Sequence, residues 1–364
     1  MIGSLFIVGF KGPKLSDETR RWVSENQIGG FILFNRNGNI ESPEQVHALA
    51  QDLQSLCEFP IFIGVDQEGG RVQRLRHPLT EIPSAQFLAE HASPSEIFDI
   101  SAGMARELRS VGINLNFAPV ADIRVRSDEA ALQDRAFGSD VSIVSKCVTA
   151  FVRGHLKEGV LPCVKHFPGH GAAILDSHLG LPSVDTSLEL LRAREWQPFA
   201  KAIRTNCPMV MTAHIQNSNL DPDNPATFSE RTLHTFLREE LRYQRLIATD
   251  DLEMGGALER LSAEEIPLAA LNAGCDLLLY RSEEAARIAL ESVQTALQRN
   301  QISHERIQES IQRIEIERAK LNPISNALPN LPDQELHNCI EKVKTRGSTP
   351  SSSNPTGSRW VEQS

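Results

Sequence analysis

Hydrophobic residues in this chain fall into short, nearly unbroken runs, separated by longer stretches in which apolar positions recur every three or four residues. The runs are SLFIVGF (4–10), GGFILF (29–34), PIFIGVD (60–66), INLNFAPVAD (113–122), LPCVKHF (161–167), MVMTAHI (209–215), RLIATDD (245–251) and CDLLLY (275–280). Continuous rather than alternating apolarity is expected of parallel strands covered on both faces. The stretches between them open with helix starts. In SPEQVHALAQDLQSL, Ser42 is the predicted N-cap, Pro43 the first helical residue and Gln45 the partner closing a capping box. Ser187, Ser229 and Ser282 are predicted caps of later helices, and Gly274 a left-handed helix end just before the last strand.

Eight strands alternating with helices predict a (β/α)₈ TIM barrel of class α/β, a fold that typically takes about 250 residues. The competing open, doubly wound sheet lacks its commonest cofactor signature, because no G-x-G-x-x-G follows the first strand. The barrel is expected to occupy 1–325 as one domain, with a peripheral helical segment over 326–344. The Ser-, Pro-, Gly- and Thr-rich stretch 345–364 reads as a disordered tail.

Composition narrows the function. The 364 residues, 40% hydrophobic, can bury a large core, and a net charge of −10 argues against general nucleic-acid binding. The first residues read as a strand rather than a signal peptide, and no apolar run is long enough to span a membrane. The six cysteines include no C-x-x-C pair, which points to reduced structural thiols and a cytoplasmic protein.

Candidate chemistry sits where this barrel carries its active sites, at the C-terminal ends of the strands. Asp66, Asp122, Lys165, His166, His214, Asp250 and Asp251 all stand there, so these side chains are expected to converge on one mouth. A carboxylate at Asp250 could attack an anomeric carbon, bind a cation or cap a helix; Asp251 is the better cap. Asp176 and His178, two apart, form either a tuned proton donor or an ordinary loop turn. KHFPGHG (165–171) has metal, phosphate and sugar readings. Pro168 and Gly169 forbid a helix that would put His166 and His170 on one face, and Lys165 opposes a cation, so sugar-hydroxyl binding fits best. His170 is expected to shape the loop. In DQEGGRVQRLR (66–76), Asp66, Arg71 and Arg74 could bind hydroxyl or carboxylate groups, or form a solvated loop with a Glu68–arginine pair. Arg135, beside Asp134 in DRAFGSD, is either a substrate contact or half of an ion pair.

Taken in order, DQEGGRVQRLR, LNFAPVAD, DRAFGSD, KHFPGHG, DSHLGLP, TAHI and TDDLEM resemble glycoside hydrolase family 3, over about residues 4 to 320. Within it they look like the bacterial β-N-acetylhexosaminidases of cell-wall recycling. The resemblance implies a retaining double displacement with Asp250 as nucleophile and His178, paired with Asp176, as acid/base on a mobile loop. It implies sugar contacts from Asp66, Arg74, Arg135, Lys165 and His166, with no metal and no cofactor. Too few residues follow 320 for the family's second, open-sheet domain, so the acid/base is expected from the barrel's own loop. The expected partner is a small-molecule carbohydrate, GlcNAc joined to 1,6-anhydro-N-acetylmuramic acid peptides, with no nucleic acid and no membrane, on a monomer. Two alternatives keep the fold: a phosphorolytic transferase and a sugar-binding protein without turnover.

Overall fold

Eight short strands run parallel in one sheet: β1 (Phe6–Val8), β2 (Gly30–Ile32), β3 (Phe62–Val65), β4 (Leu115–Asn116), β5 (Leu161–Phe167), β6 (Met209–Thr212), β7 (Leu246–Ala248) and β8 (Leu278–Tyr280). Their spatial order is β7-β6-β5-β4-β3-β2-β1-β8. A parallel bridge between Ala248 and Leu277 joins the two ends, so the sheet closes into the (β/α)₈ barrel that the run pattern predicts. The computed structural model describes residues 1–125, 132–173, 180–259, 261–325, 327 and 331–348.

Every residue of these eight strands is buried, which is why the runs are apolar throughout. Interior packing leaves no room for a side chain at position 64: a Cβ there would lie 2.7 Å from the Phe117 ring, so Gly64 permits the approach. At the N-terminal end, the fully buried Asp276 carboxylate joins the closing seam to the helices outside. It accepts from the Ile247 N–H (3.0 Å), Arg238 Nη2 (2.6 Å), Ser310 Oγ (2.8 Å) and Arg313 Nη1 (3.0 Å). A buried carboxylate is tolerable only with this degree of pairing.

The serine caps form as predicted. Ser42, Ser187, Ser229 and Ser282 accept from the N–H groups of Gln45, Leu190, Thr232 and Ala285, and Gly274 adopts φ +118°. The capping box at Ser42 does not close. Gln45 Oε1 instead accepts from the Glu41 N–H (3.0 Å), because its amide group is drawn to the Pro13 and Asn39 carbonyls. A full box forms at Ser93 and Glu96.

Beyond the barrel lie the helices His304–Arg318 and Gln334–Ser348. The second runs past position 345, into the stretch read as a tail; residues 349–364 lie outside the described ones. Its Leu336, Ile340 and Val343 form one buried stripe, the i, i+4, i+7 spacing of a helix face. Leu336 packs on Gly103 of the helix Pro94–Ser110, where a Cβ would lie 2.6 Å from its own. Arg346 and Asp333 extend the seam through ion pairs with Glu96 and Arg106. Leu336→Ala is expected to lower the unfolding free energy by about 2–5 kcal/mol in equilibrium urea denaturation. A loss below about 0.5 kcal/mol, the usual range of an inert surface change, would mean that this helix is not part of the cooperative unit.

Candidate active site

The chain leaves β3 at Val65 and immediately makes a small hairpin, Gln67–Gly69 against Val72–Gln73. Gly69 (φ +99°) and Gly70 (φ +58°) supply the left-handed turn. The hairpin is pinned from below. Asn116, at the end of β4, accepts from the Gln67 N–H and donates to its carbonyl, both at 3.0 Å. Asn116 also donates to His155 Nε2 (2.9 Å), whose Nδ1–H donates to Ser101 Oγ (2.7 Å), and Ser101 donates to the Phe151 carbonyl. Burial pushes His155 down to about 3, so it holds this network as a neutral ring. The Gln67 side chain in turn accepts from the Arg74 and Leu75 N–H groups.

The hairpin therefore presents Asp66, Glu68 and Arg74 at fixed positions, and they join a chain of alternating charge. Arg74 Nη2 lies 3.0 Å from Asp66 Oδ2, and Asp66 Oδ1 3.0 Å from Lys165 Nζ. Lys165 Nζ lies 2.7 Å from Glu68 Oε1, and Glu68 receives two 2.8 Å hydrogen bonds from Arg135. The side chains of Lys165 and Glu68 are each only 3% exposed. Burial would raise both carboxylic acids, but the adjoining cations overcome it: Glu68 is drawn down to about 2 by Arg135 and Lys165, and Asp66 also falls well below the ordinary range. Burial would likewise lower Lys165, and Asp66 and Glu68 reverse that, so its ammonium is favoured. The Glu68–arginine pair is thus buried rather than a feature of a solvated loop. Asp134 pairs with Arg71 (3.2 Å).

Lys165 and His166 are sequence neighbours, yet both face the mouth. Val164 pairs with Val210 and Phe167 with Thr212, so β5 carries one extra residue against β6; a bulge of this kind re-aims side chains. The Lys165–His166 peptide is cis. His166 Nδ1–H donates to Asp122 (2.7 Å), which also accepts from the backbone N–H groups of His166 and His170. That leaves His166 Nε2 directed at Asp250, 4.0 Å from Oδ2. Burial opposes ionisation of Asp122, but the His166 and His170 interactions hold it below the usual carboxylate range.

Asp250 follows β7, with its side chain 22% exposed on the cavity wall. Its Oδ1 accepts from the Asp251 N–H (2.7 Å). Burial pushes its pKa up, while His166, His214, the Asp251 N–H and Lys165 together hold it below the usual carboxylate range, so the anion is favoured. Asp251 braces the loop: Oδ1 accepts from the Glu253 N–H (3.1 Å), and Arg281 Nη1 lies 3.4 Å from Oδ2. It does not cap the next helix, Gly255–Leu258, whose preceding residue is Met254. Burial raises Asp251 to about 6.

Asp66, Arg74, Arg135, Lys165, His166, Asp250 and Asp251 line one cavity of about 480 Å³, within the range of small-ligand sites. Asp122 and His214, expected in the mouth, stand behind it. His214 donates from Nε2 to the Asp251 carbonyl (3.1 Å) and accepts from Thr227 at Nδ1 (3.0 Å), a neutral ring with its pKa lowered by burial. His170 shapes its loop through its backbone and also borders the cavity. Asp176 and His178 lie outside the described residues. Sequence reasoning did not single out Gln67, Asn116 or a functional Glu68. Only Glu68, a carboxylate within DQEGG, carried a visible signal.

The profile described as "Glycosyl hydrolase family 3 N terminal domain" matches residues 1–316. The chain is 40% identical over 287 residues to the beta-hexosaminidase of Methylococcus capsulatus, covering 78% of this chain and 84% of that protein. It is 37% identical over 286 residues to the beta-hexosaminidase of Idiomarina loihiensis, covering 78% and 85%. In three dimensions it is similar to the family 3 beta-N-acetylglucosaminidase from Paenibacillus sp., with TM-score 0.91 and 34% identity over 95% of this chain and 68% of that one. With a profile match across the whole barrel and relatives at this identity sharing most of their length, the chain belongs to glycosyl hydrolase family 3.

Proposed function

We propose that this glycoside hydrolase is a retaining exo-β-N-acetylglucosaminidase that releases non-reducing terminal GlcNAc from GlcNAc-β-1,4-anhydroMurNAc muropeptides in cytoplasmic cell-wall recycling. The β-N-acetylhexosaminidase class follows the family and the names of its relatives. Among the described residues no helix is long and apolar enough to cross a membrane.

The observation that carries the mechanism is Asp250: an ionised carboxylate on the cavity wall, held by one backbone N–H, with one oxygen still open to the cavity. In the proposed reaction Asp250 attacks the anomeric carbon while His178, supported by Asp176, protonates the departing glycosidic oxygen. The neutral imidazole then takes a proton from water, which displaces Asp250 and returns the β-anomer. Asp66, Arg74, Arg135, Lys165 and His166 hold the sugar hydroxyls. The acid/base assignment rests on the DSH sequence and the family.

Two experiments test this. Asp250→Asn is expected to cut kcat on an aryl β-GlcNAc by a thousandfold or more, about 4 kcal/mol of lost transition-state stabilisation. Denaturing mass spectrometry after treatment with a slowly turned-over fluorinated GlcNAc fluoride should place the added sugar on the peptide containing Asp250; a different labelled peptide would move the nucleophile. In kcat/KM, which reports formation of the glycosyl-enzyme, His178→Ala is expected to lose about 10²–10⁴-fold on an aglycone of high pKa and far less on dinitrophenyl β-GlcNAc, which leaves without protonation. Equal losses on both substrates would remove His178 from the acid role.

A further inference from the structure

Glu68 stands at the centre of the clamp, yet neither the sequence motifs nor the family reading gives it a task. We propose that Glu68 is the positioning residue of the sugar clamp: its buried carboxylate holds the Lys165 ammonium and the Arg135 guanidinium at a fixed spacing on the cavity wall. The inference rests on the proposed function, because it takes Lys165 and Arg135 as sugar contacts.

The geometry carries it. Both Glu68 oxygens are occupied, Oε1 by Lys165 (2.7 Å) and Arg135 Nη2 (2.8 Å), Oε2 by Arg135 Nε (2.8 Å). At 3% exposure the carboxylate has little surface to offer a substrate, in contrast to Asp66 at 15%. Its partners come from separate parts of the chain: Lys165 from β5, Arg135 from the turn Gln133–Arg135. The turn is also tied to the hairpin by Arg71 and Asp134 (3.2 Å). A two-pronged carboxylate bonded by a planar guanidinium fixes direction as well as distance. Its own anchor is rigid, since Asn116 holds both backbone polar groups of the preceding Gln67. Glu68 therefore transmits the barrel's rigidity to two long side chains that would otherwise sample many rotamers.

A second consequence separates positioning from mere support. Lys165 faces Asp66 and Glu68 from the hairpin, Arg135 from the turn, Asp250 from the end of β7, and His166 and Cys163 along its own strand; Arg74 sits behind Asp66. Burial and Arg135 disfavour its positive charge, and the two hairpin carboxylates restore it. Removing one carboxylate makes the ammonium easier to deprotonate, so sugar binding should be lost at lower pH than in the wild type.

The test uses the full chain as wild type, Glu68→Gln and Glu68→Asp. The substrate is dinitrophenyl β-GlcNAc, whose kcat/KM needs no proton from an acid, so the alkaline limb reports the clamp. GlcNAc binding is followed by calorimetry across the same pH range, and folding by thermal denaturation. Glu68→Gln is expected to raise KM and the GlcNAc Kd about tenfold or more, the cost of a displaced charge-assisted contact. Its alkaline limb should move down by about one pH unit or more. Glu68→Asp should return the limb toward wild type while KM stays raised, because its shorter side chain keeps the charge but cannot span both partners. KM within twofold of wild type and an unmoved limb in Glu68→Gln would overturn the proposal. So would a lowered Tm with both readouts unchanged, the signature of structural support alone. If Glu68→Gln does not fold, the Glu68→Asp KM decides: a value within twofold of wild type overturns the proposal. Wild-type turnover with unaltered variants sinks only the role of Glu68. A wild type that neither hydrolyses nor binds GlcNAc overturns the proposed function and this inference together.

Discussion

The ammonium of Lys165, buried between Asp66 and Glu68, is the interaction on which the mouth of this barrel depends. A buried charge is stable only when paired, and deleting one partner from such a pair typically costs about 3–5 kcal/mol. The pairing does not stop at Lys165. Each carboxylate that satisfies it needs a further cation, so the chain extends to Arg74 on one side and Arg135 on the other. Three cations and two carboxylates thus bind one strand, one hairpin and one turn into a single wall. The same demand explains why the hairpin follows β3 without a spacer: Asp66 and Glu68 must reach across to β5.

Behind this wall stand residues that hold others in place. Asp122 orients His166 through Nδ1 and ties down two backbone N–H groups of the KHFPGH loop. Asn116, His155 and Ser101 carry the hairpin's position outward to the helices Pro94–Ser110 and Val141–Glu158. Asp251, paired with Arg281, braces the backbone next to Asp250. Small displacements of groups that contact a reacting sugar are costly, and second-layer contacts of this kind prevent them. In the proposed function the wall grips hydroxyl groups and leaves Asp250 free to attack.

The two ends of the barrel divide the work. At the N-terminal end, Asp276 gathers Arg238, Arg313 and Ser310 around the closing seam, fully buried and turned away from the cavity. At the C-terminal end the charges are similarly paired but border open space. Buried ion pairs fasten the fold at one end and, with the same chemistry, shape the mouth at the other. This division matches what the barrel architecture generally allows.

Much of this was legible in the residues themselves. Eight apolar runs without alternation determine parallel strands, since a strand covered on both faces has no polar side to show. Charged residues at the ends of those runs determine which end of the barrel carries chemistry, because a buried strand does not otherwise terminate in Asp, Lys and His. What the one-dimensional pattern could not contain is pairing across distance. Asp122 and His214 follow their strands just as Asp66 and Asp250 do, yet backbone donors and the Asp251 carbonyl draw them behind the cavity. Gln45 could have closed its capping box had the Pro13 and Asn39 carbonyls not been within reach. Lys165 and His166 should point to opposite sides of a regular strand, yet both line the mouth, where β5 bulges against β6. Local sequence determined which segments form and which end bears charge, because those follow from covalent neighbours and burial. Partner choice among those charges belonged to the tertiary structure, because hydrogen bonds and ion pairs are made with whatever the closed barrel brings within about 3 Å.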